Sequence, residues 1–378
     1  MTPTTRLGRG TIGKLADILD HLGAKRVFLV TGSDSYVACG AAPFVETALD
    51  GCPTERFRDF TLNPRLGDLE RGLARFEDSG ADVLLAVGGG SVLDMAKLIG
   101  ICATQQANPA AIAQGDVKIK ADSLPLIAIP TTAGSGSEAT HFAVVYVDGQ
   151  KHSVAHRSIR PAFTIVDPAL TDSLPEAVTA VTGLDAFCQA VESYWSIHST
   201  KATRHWSARA ISLILESLPR AVHDPDTGSR DALSEASHLA GCAIDVTKTT
   251  APHAISYTMT SRFGIPHGQA VAITLGELLV YNSLVTEDDV TDPRGARHVQ
   301  RVIEELNALL GTSSAEASRQ RIQSLIRSVG LATRLADLGI HRRADYELLL
   351  ENLNTQRLKN NPRALQAKQL QPILRRIA

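Results

Sequence analysis

Short apolar runs alternate with amphipathic stretches through the first 175 residues of the chain. Residues 26–30, 82–87 and 126–130 are such runs, rich in β-branched side chains and closed by glycine or proline. Residues 66–78, between the first and second runs, have the apolar spacing of a helix with one buried face. Near-continuous apolar strands separated by helices predict βαβ units around a mostly parallel sheet that is covered on both faces.

The apolar spacing changes near residue 174 and is helical from there onward. Residues 207–218 and 300–310 carry apolar side chains at i, i+3, i+4 and i+7 positions, and few strand-like runs intervene. The sequence therefore predicts an α/β domain over residues 1–175 and an all-helical domain over residues 176–378. A length of 378 residues agrees with two or three domains of about 150 residues each.

The composition indicates a globular protein whose partner is a small molecule. Apolar residues make up 44% of the chain, and 38 Lys and Arg against 40 Asp and Glu give a net charge of −2. This balance offers no basic surface for nucleic acid or an anionic membrane, and no apolar run approaches the ~18 residues of a transmembrane helix. Five scattered cysteines without a C-x-x-C pair, and an N-terminal stretch without a secretory pattern, lead us to expect a cytoplasmic location.

Two glycine-rich segments follow the second and third apolar runs. Residues 88–91, GGGS, join a strand to a helical stretch and would aim backbone N–H groups and a helix N-terminus at one point, which suits a pyrophosphate. Leu93 stands where the dinucleotide fingerprint has its third glycine, whereas residues 134–139, GSGSEA, fit the relaxed form. Either segment alone is equally well explained as an ordinary turn, but two on consecutive strands favour a bound nucleotide.

Four polar side chains in the second half have the chemistry of metal ligands. Asp185 and Gln189 are four residues apart and share one helix face. His253 and His267 each lie beside a proline in otherwise apolar sequence. A lone histidine in such a setting is usually a hydrogen-bonded core residue, but two that converge with a carboxylate form a site for Fe(II), Zn(II) or another first-row metal. The spacing leaves their convergence open.

Four ordered segments that span most of the chain resemble the group III, iron-dependent alcohol dehydrogenase family: GGGSVLDMAK, IPTTAGSGSEAT, GLDAFCQAVESYWS and APHAISYTMTSRFGIPHGQAVAI. The resemblance implies a dehydroquinate synthase-like two-domain architecture, with an N-terminal dinucleotide-binding domain, an all-helical metal-binding domain and a catalytic metal in the cleft between them. It also implies NADPH or NADH as cofactor, a small aldehyde as substrate, and a homodimer or larger homo-oligomer.

The family's metal positions fall on Asp185, Gln189, His253 and His267. Gln189 departs from the family pattern, because a histidine is usual there and a neutral amide oxygen is a harder ligand than imidazole. The expected metal is Fe(II) or, alternatively, Zn(II). A further family histidine, often placed in a proton relay, falls on Tyr257. The implied reaction is hydride transfer from the nicotinamide to an aldehyde that the metal polarises, with the proton arriving through water or the relay.

The resemblance also assigns residues to the cofactor. They lie after the apolar runs and at one later lysine: Gly32, Ser33, Gly89, Gly90, Ser91, Asp94, Thr131, Thr132, Ser135, Ser137 and Lys151. Asp94 is expected to brace the first glycine turn. Many NAD-preferring relatives carry Asp at the position of Gly32, where a carboxylate repels a 2′-phosphate, so we expect NADPH to be used at least as well as NADH.

Within the family, the segments CQAVESYWS and TKTTAPHAISY look most like the branch that reduces phosphonoacetaldehyde to 2-hydroxyethylphosphonate in phosphonate antibiotic biosynthesis. An anionic substrate needs a cationic end to its pocket. Lys248 is the first candidate for that charge, and His198 and Arg262 are weaker ones. Each of the three is also explained as a solvated surface charge.

Three alternatives remain open from the sequence. Reductases of other small aldehydes, of lactaldehyde or of maleylacetate share the family motifs. A lyase of the sugar-phosphate cyclase type shares the two-domain plan, although the density of Lys and Arg that a phosphorylated polyol needs is missing near His253 and His267. The third alternative is a dehydrogenase-like binding protein that lost its metal through Gln189.

Overall fold

The computed structural model describes residues 3–378, except for the side chain of Gln356. The chain forms two compact units. The first contains the chain up to Leu174 together with Asp226–His238, and the second contains Pro175–Pro225 and Leu239–Ala378. Within the described residues, no helix is both long enough and apolar enough to cross a bilayer.

Among the described residues, the first unit has eight strands: β1 (Thr4–Leu7), β2 (Val27–Thr31), β3 (Thr54–Phe57), β4 (Val83–Gly88), β5 (Leu126–Pro130), β6 (Phe142–Val147), β7 (Gln150–Ala155) and β8 (Phe163–Val166). Six of them form one parallel sheet in the order β1-β8-β5-β4-β2-β3, and β6 and β7 form a separate antiparallel hairpin. The three predicted apolar runs are confirmed as β2, β4 and β5. The other parallel strands have only four residues, too few for a sequence pattern to identify.

Helices cover both faces of this sheet: α1 (Leu15–Leu22), α2 (Ser35–Ala38), α3 (Ala42–Ala48), α4 (Leu66–Ser79), α5 (Gly90–Ala103) and α6 (Pro109–Gln114). Successive side chains of β2 pack into the hydrophobic cores on opposite faces of the sheet, because side chains alternate across a strand. Phe28 and Val30 pack with residues of α4 and α5, whereas Val27 and Leu29 pack with residues of α1 and α3. The prediction of a parallel sheet buried on both faces is confirmed.

The connections of the sheet diverge between β2 and β4. The chain passes from β2 to β3 at one edge, whereas β4 is followed by β5 and then β8 toward the other edge. Open α/β sheets bind ligands at the carboxyl ends of the strands beside such a switch point. Gly32 follows β2 there, and the two glycine-rich segments follow β4 and β5.

The second unit is helical and shares α9 with the first. These helices are α7 (Glu176–Trp195), α8 (Lys201–His223), α9 (Thr227–Thr247), α10 (Ala251–Phe263), α11 (His267–Ser283), α12 (Ala296–Leu309), α13 (Ala315–Ser328), α14 (Arg343–Glu351), α15 (Thr355–Leu358) and α16 (Ala367–Arg376). The predicted helices at 207–218 and 300–310 lie in α8 and α12. Helix α9 starts among the residues grouped with the first unit and ends in the second, a division that the apolar pattern does not predict.

Candidate metal centre and cofactor loops

Three helices of the second unit bring Asp185, His253 and His267 together. One ligand atom from each residue lies within 4.8 Å of the other two. His253 Nε2 is 3.3 Å from Asp185 Oδ1, and the two imidazole centroids are 5.4 Å apart. The sequence left this convergence open, and the fold supplies it from α7, α10 and α11.

The chain between the two histidines turns sharply enough to place both at helix starts. Helix α10 ends at Gly264, which has the left-handed φ of 69° typical of a helix C-cap. Pro266 then precedes His267, the first residue of α11. Gly268 lies against α7, since a Cβ there would sit 1.9 Å from the carbonyl oxygen of Val181 and 3.1 Å from the Cβ of Asp185. Only glycine permits this approach of α11 to the carboxylate.

The remaining predicted residues of the centre lie on the same helices. Gln189 is one turn after Asp185 on α7 and is 3% exposed. Tyr257 is one turn after His253 on α10, and its ring centroid is 6.4 Å from that of His267. The structure thus places the Gln189 amide one helical turn from Asp185 and the Tyr257 ring near that of His267.

Glu192 is a buried residue of the centre that the sequence analysis did not select. Its side chain is completely buried, and Oε1 accepts hydrogen bonds from Thr250 N at 2.8 Å, Thr250 Oγ1 at 3.0 Å and His253 N at 3.3 Å. Oε2 pairs with His253 Nδ1. A signal was present, because Asp185, Gln189 and Glu192 have the i, i+4, i+7 spacing of one helix face.

The carboxylates give the centre a field that attracts a proton or a cation. Burial alone would lower the pKa of His253, but Glu192 and Asp185 together raise that pKa to about 9. The Cys188 thiol is also nearby on α7, and burial, Glu192 and Asp185 raise its pKa well above the usual range. Burial and the two carboxylates thus favour the neutral thiol at Cys188.

The donor set fits a first-row divalent metal. A carboxylate and two imidazoles whose ligand atoms lie within 4.8 Å of one another form a 2-His-1-carboxylate arrangement. His253 can ligate through Nε2 while its Nδ1 is held by Glu192. Asp185, His253 and His267 are thus the residues that would hold the metal, with Gln189 adjacent to them.

The two glycine-rich segments of the first unit lie against each other. A Cβ on Gly90 would be 2.7 Å from Ser135 Oγ, and one on Gly89 would be 3.3 Å from the side chain of Thr132. Among the described residues, no side chain caps the N-terminus of α5, which begins at Gly90. Its first N–H groups, those of Gly90 and Ser91, lie at a helix N-terminus, which is the kind of position that can bind a phosphate.

Asp94 contacts a different part of the cofactor loops from the one expected. Its carboxylate accepts hydrogen bonds from Ser137 Oγ at 2.6 Å and from Val144 N at 2.9 Å, so it ties α5 to the second glycine segment and to β6 rather than bracing the first turn. Desolvation raises the pKa of Asp94, and the neighbouring charge of Lys97 and the bond from Ser137 oppose that rise.

Lys97 is a second residue that the sequence analysis did not select. It is completely buried, and Nζ donates to Ser137 O, Ser137 Oγ, Thr140 Oγ1 and Phe142 O at 2.5 to 3.1 Å. It therefore fixes the loop that carries Thr131, Thr132 and Ser135. The signal was a lysine three residues after Asp94 in an otherwise apolar helix, which is typical of a buried charged pair.

The carboxyl end of β2 has a cationic side chain nearby. Arg56 on β3 donates from Nε to Thr31 Oγ1 at 2.9 Å, and its guanidinium lies 4.3 Å from the ring centroid of Tyr36. Gly32 follows Thr31, and a Cβ on it would sit 2.2 Å from Ser35 Oγ. Ser33 is exposed beside it. Lys151, the last predicted cofactor residue, lies on β7 opposite Tyr146.

The three residues that are candidates for binding an anionic substrate differ in exposure. Lys248 is half-buried between α9 and α10, in the left-handed region at φ 61°, and Lys248 N donates to Ile244 O at 2.9 Å. His198 is exposed in the connection between α7 and α8. Arg262 is exposed near the end of α10, nine residues from His253, which is about 14 Å along the helix. Lys248 is thus the candidate whose environment differs from that of a solvated surface charge.

Comparison with known proteins places the chain in a family. Residues 2–168 match the family described as iron-containing alcohol dehydrogenase, and residues 179–378 match the C-terminal part of the Fe-containing alcohol dehydrogenase family. The chain belongs to the iron-containing alcohol dehydrogenase family, which confirms the resemblance and favours the reductase over the cyclase-type lyase. It is an NAD-linked alcohol dehydrogenase or aldehyde reductase.

Three similar proteins are named as aldehyde reductases or as a probable alcohol dehydrogenase. The chain is 38% identical to the phosphonoacetaldehyde reductase of Streptomyces viridochromogenes over 306 residues. This match covers 78% of this chain and 75% of that protein. It is 31% identical over 375 residues to the probable alcohol dehydrogenase EutG of Escherichia coli, covering 97% of this chain and 91% of that one. The crystal structure of sulfoacetaldehyde reductase from Bifidobacterium kashiwanohense in complex with NAD+ superposes with a TM-score of 0.87 at 30% identity, covering 99% of this chain and 96% of that chain.

Proposed function

We propose that the protein reduces a small anionic aldehyde to its primary alcohol, with phosphonoacetaldehyde as the preferred substrate and 2-hydroxyethylphosphonate as the product. The observation that carries this proposal is the convergence of Asp185, His253 and His267 within 4.8 Å. Two similar proteins are named for aldehydes that bear a phosphonate or a sulfonate, which supports an anionic substrate.

The residues of this chain divide the chemistry between them. Asp185, His253, His267 and Gln189 would hold a divalent metal, Fe(II) or Zn(II), which would supply Lewis-acid polarisation of a carbonyl. The two glycine segments would hold the dinucleotide, which would supply the hydride for aldehyde reduction. Tyr257 lies within one helix turn of His253 and beside His267, where its hydroxyl can deliver the proton that completes the alcohol.

A screen of aldehydes tests this function. NADPH and NADH oxidation are followed with phosphonoacetaldehyde, sulfoacetaldehyde and uncharged aldehydes of the same length, in protein reconstituted anaerobically with Fe(II) or with Zn(II). We expect kcat/KM to be at least tenfold higher for phosphonoacetaldehyde than for the uncharged aldehydes, a difference of about 1.4 kcal/mol. Equal efficiency for charged and uncharged aldehydes would refute the anionic preference.

Lys248 is the residue we assign to the anionic end of the substrate. Burial lowers the pKa of Lys248 to about 8, and Arg357 acts in the same direction while Asp245 opposes it. Arg357, on α15, adds a second positive charge to this region. Ammonium and guanidinium groups that are partly withdrawn from water bind a phosphonate or sulfonate more strongly than surface charges do.

The pKa of Lys248 predicts a pH dependence for anionic substrates. Sulfoacetaldehyde is the suitable probe because its sulfonate keeps one charge across the range, whereas a phosphonate titrates. Since Lys248 is charged below a pKa of about 8, kcat/KM for sulfoacetaldehyde should fall about fifteenfold between pH 8 and 9.5. Lys248→Met should be slow at every pH and lack this fall. The same fall in Lys248→Met, or with an uncharged aldehyde, would contradict the assignment.

Cofactor choice is predicted from the end of β2. Gly32 offers no carboxylate to repel a 2′-phosphate, and Arg56 places a positive charge one strand away. We expect kcat/KM for NADPH to equal or exceed that for NADH, and Gly32→Asp to lower the NADPH value at least tenfold while NADH remains a substrate. Steady-state kinetics with both cofactors measure this. An NADPH efficiency more than tenfold below that of NADH in the unaltered protein would overturn the prediction.

A further inference from the structure

We propose that Glu192 is a positioning residue for the metal centre: it holds the proton of His253 on Nδ1 and so directs the Nε2 lone pair to the metal. This inference rests on the proposed metal site but not on the identity of the substrate. It concerns a carboxylate whose side chain is completely buried and which contacts no bulk water.

The hydrogen-bond pattern determines which atom of His253 carries the proton. Glu192 Oε1 accepts from the backbone N–H groups of Thr250 and His253 and from the Thr250 hydroxyl, and Oε2 pairs with His253 Nδ1. A carboxylate surrounded by fixed donors acts as an acceptor at both oxygens. Nδ1 is therefore the donor to Oε2. Nε2 lies 3.3 Å from Asp185 Oδ1, and a metal bound there would displace the proton of Nε2 and take its lone pair, while Nδ1 keeps its proton.

The surrounding contacts keep this carboxylate in place. Thr250 is completely buried, and its hydroxyl accepts a hydrogen bond from Trp195 Nε1 at 2.8 Å while donating to Glu192. Thr250 is also the N-cap residue of α10, and its side chain makes no cap bond of its own in the described structure. Glu192 Oε1 takes that place by accepting the N–H groups of Thr250 and His253.

The two oxygens therefore have separable roles, since Oε1 caps α10 and Oε2 orients His253. In Glu192→Gln, the amide oxygen is required at the Oε1 position by two backbone N–H groups, which leaves the amide NH2 facing His253 Nδ1. Nδ1 must then accept, and the ring proton moves to Nε2, where it blocks ligation. Thr250→Val is the matched control, because it removes one hydroxyl bond to Oε1 and leaves Oε2 and His253 unchanged.

Metal affinity tests the proposal without measuring turnover. Dissociation constants for Zn²⁺ and Co²⁺ are measured by chelator competition on metal-free protein, together with the melting temperature of each metal-free variant. We expect Glu192→Gln to weaken the binding of both metals by about 10–100-fold. This is the usual effect of losing the hydrogen-bond partner that holds a metal-ligating histidine. Thr250→Val should lower the melting temperature but stay within threefold of the parent in affinity. Affinity of Glu192→Gln within threefold of the parent, or a loss shared equally by Thr250→Val, would show that Glu192 only caps the helix.

A second measurement uses the unaltered protein and so does not depend on the folding of a variant. Long-range proton–nitrogen spectra of ¹⁵N-histidine protein loaded with Zn²⁺, compared with those of His253→Asn, identify the nitrogen that carries the proton. We expect protonated Nδ1 and metal-bound Nε2, and the reverse assignment sinks the proposal. Failure of the parent to bind either ion would instead remove the metal centre of the proposed function, and this inference with it.

Discussion

Asp185→Ala and His267→Ala are each expected to lose bound metal and turnover together. Each removes one of three ligands whose donor atoms lie within 4.8 Å of one another, and neither position has a neighbouring carboxylate or imidazole on its own helix turn to take over. Lewis-acid polarisation of a carbonyl contributes several kcal/mol to the transition state, so kcat/KM should fall about a thousandfold or more. Elemental analysis after dialysis and steady-state aldehyde reduction measure the two losses.

Exposed residues of the same types provide the controls for this pair. Asp337→Ala and His205→Ala change an aspartate and a histidine on the surface of the second unit, and both should keep the metal content and activity of the parent. Full activity in both Asp185→Ala and His267→Ala would refute the metal role. Loss of activity with the metal retained would instead indicate that these residues act on the substrate.

The parts of the fold that could be read from the sequence are those with a local pattern. The runs that become β2, β4 and β5 are buried on both faces, so they are apolar throughout and stand out from the flanking helices. The edge strands β1 and β3 are only four residues long, and no periodic signal survives at that length. Strand β6 of the hairpin alternates in burial, and this is a pattern that the sequence does carry.

The same contrast between local sequence pattern and tertiary packing applies to the site residues. Asp185 and Gln189 could be paired because a helix places i and i+4 on one face, but the meeting of α7 with α10 and α11 depends on tertiary packing that spacing does not encode. Glu192 and Lys97 were missed because each acts through another residue, the first on His253 and the second on the loop around Ser137. Their sequence signal is a charge at helical spacing inside an apolar helix, which points to burial without naming a partner.

Gly268→Ala is expected to be the most damaging conservative substitution in the second unit. The added methyl would meet the Val181 carbonyl oxygen at 1.9 Å, and this backbone atom of α7 has no rotamer through which to move away. Helix α11 must then shift away from α7, which separates His267 from Asp185. Overpacking of this kind costs about 3 kcal/mol, and in a unit of this size that lowers the melting temperature by about 6–12 °C.

The metal affinity of Gly268→Ala should fall with its stability, because the methyl would also lie 3.1 Å from the Cβ of Asp185. Gly67→Ala is the matched control. Gly67 lies in helix α4 with only the end of the Arg71 side chain near its Cβ position, at 3.9 Å, so alanine there should be neutral or stabilising by up to about 1 kcal/mol through helix propensity. Thermal unfolding of the metal-free proteins and Zn²⁺ competition measure the two effects. A Gly268→Ala variant that melts with the parent and binds Zn²⁺ equally well would show that α7 and α11 do not need this close approach to form the centre.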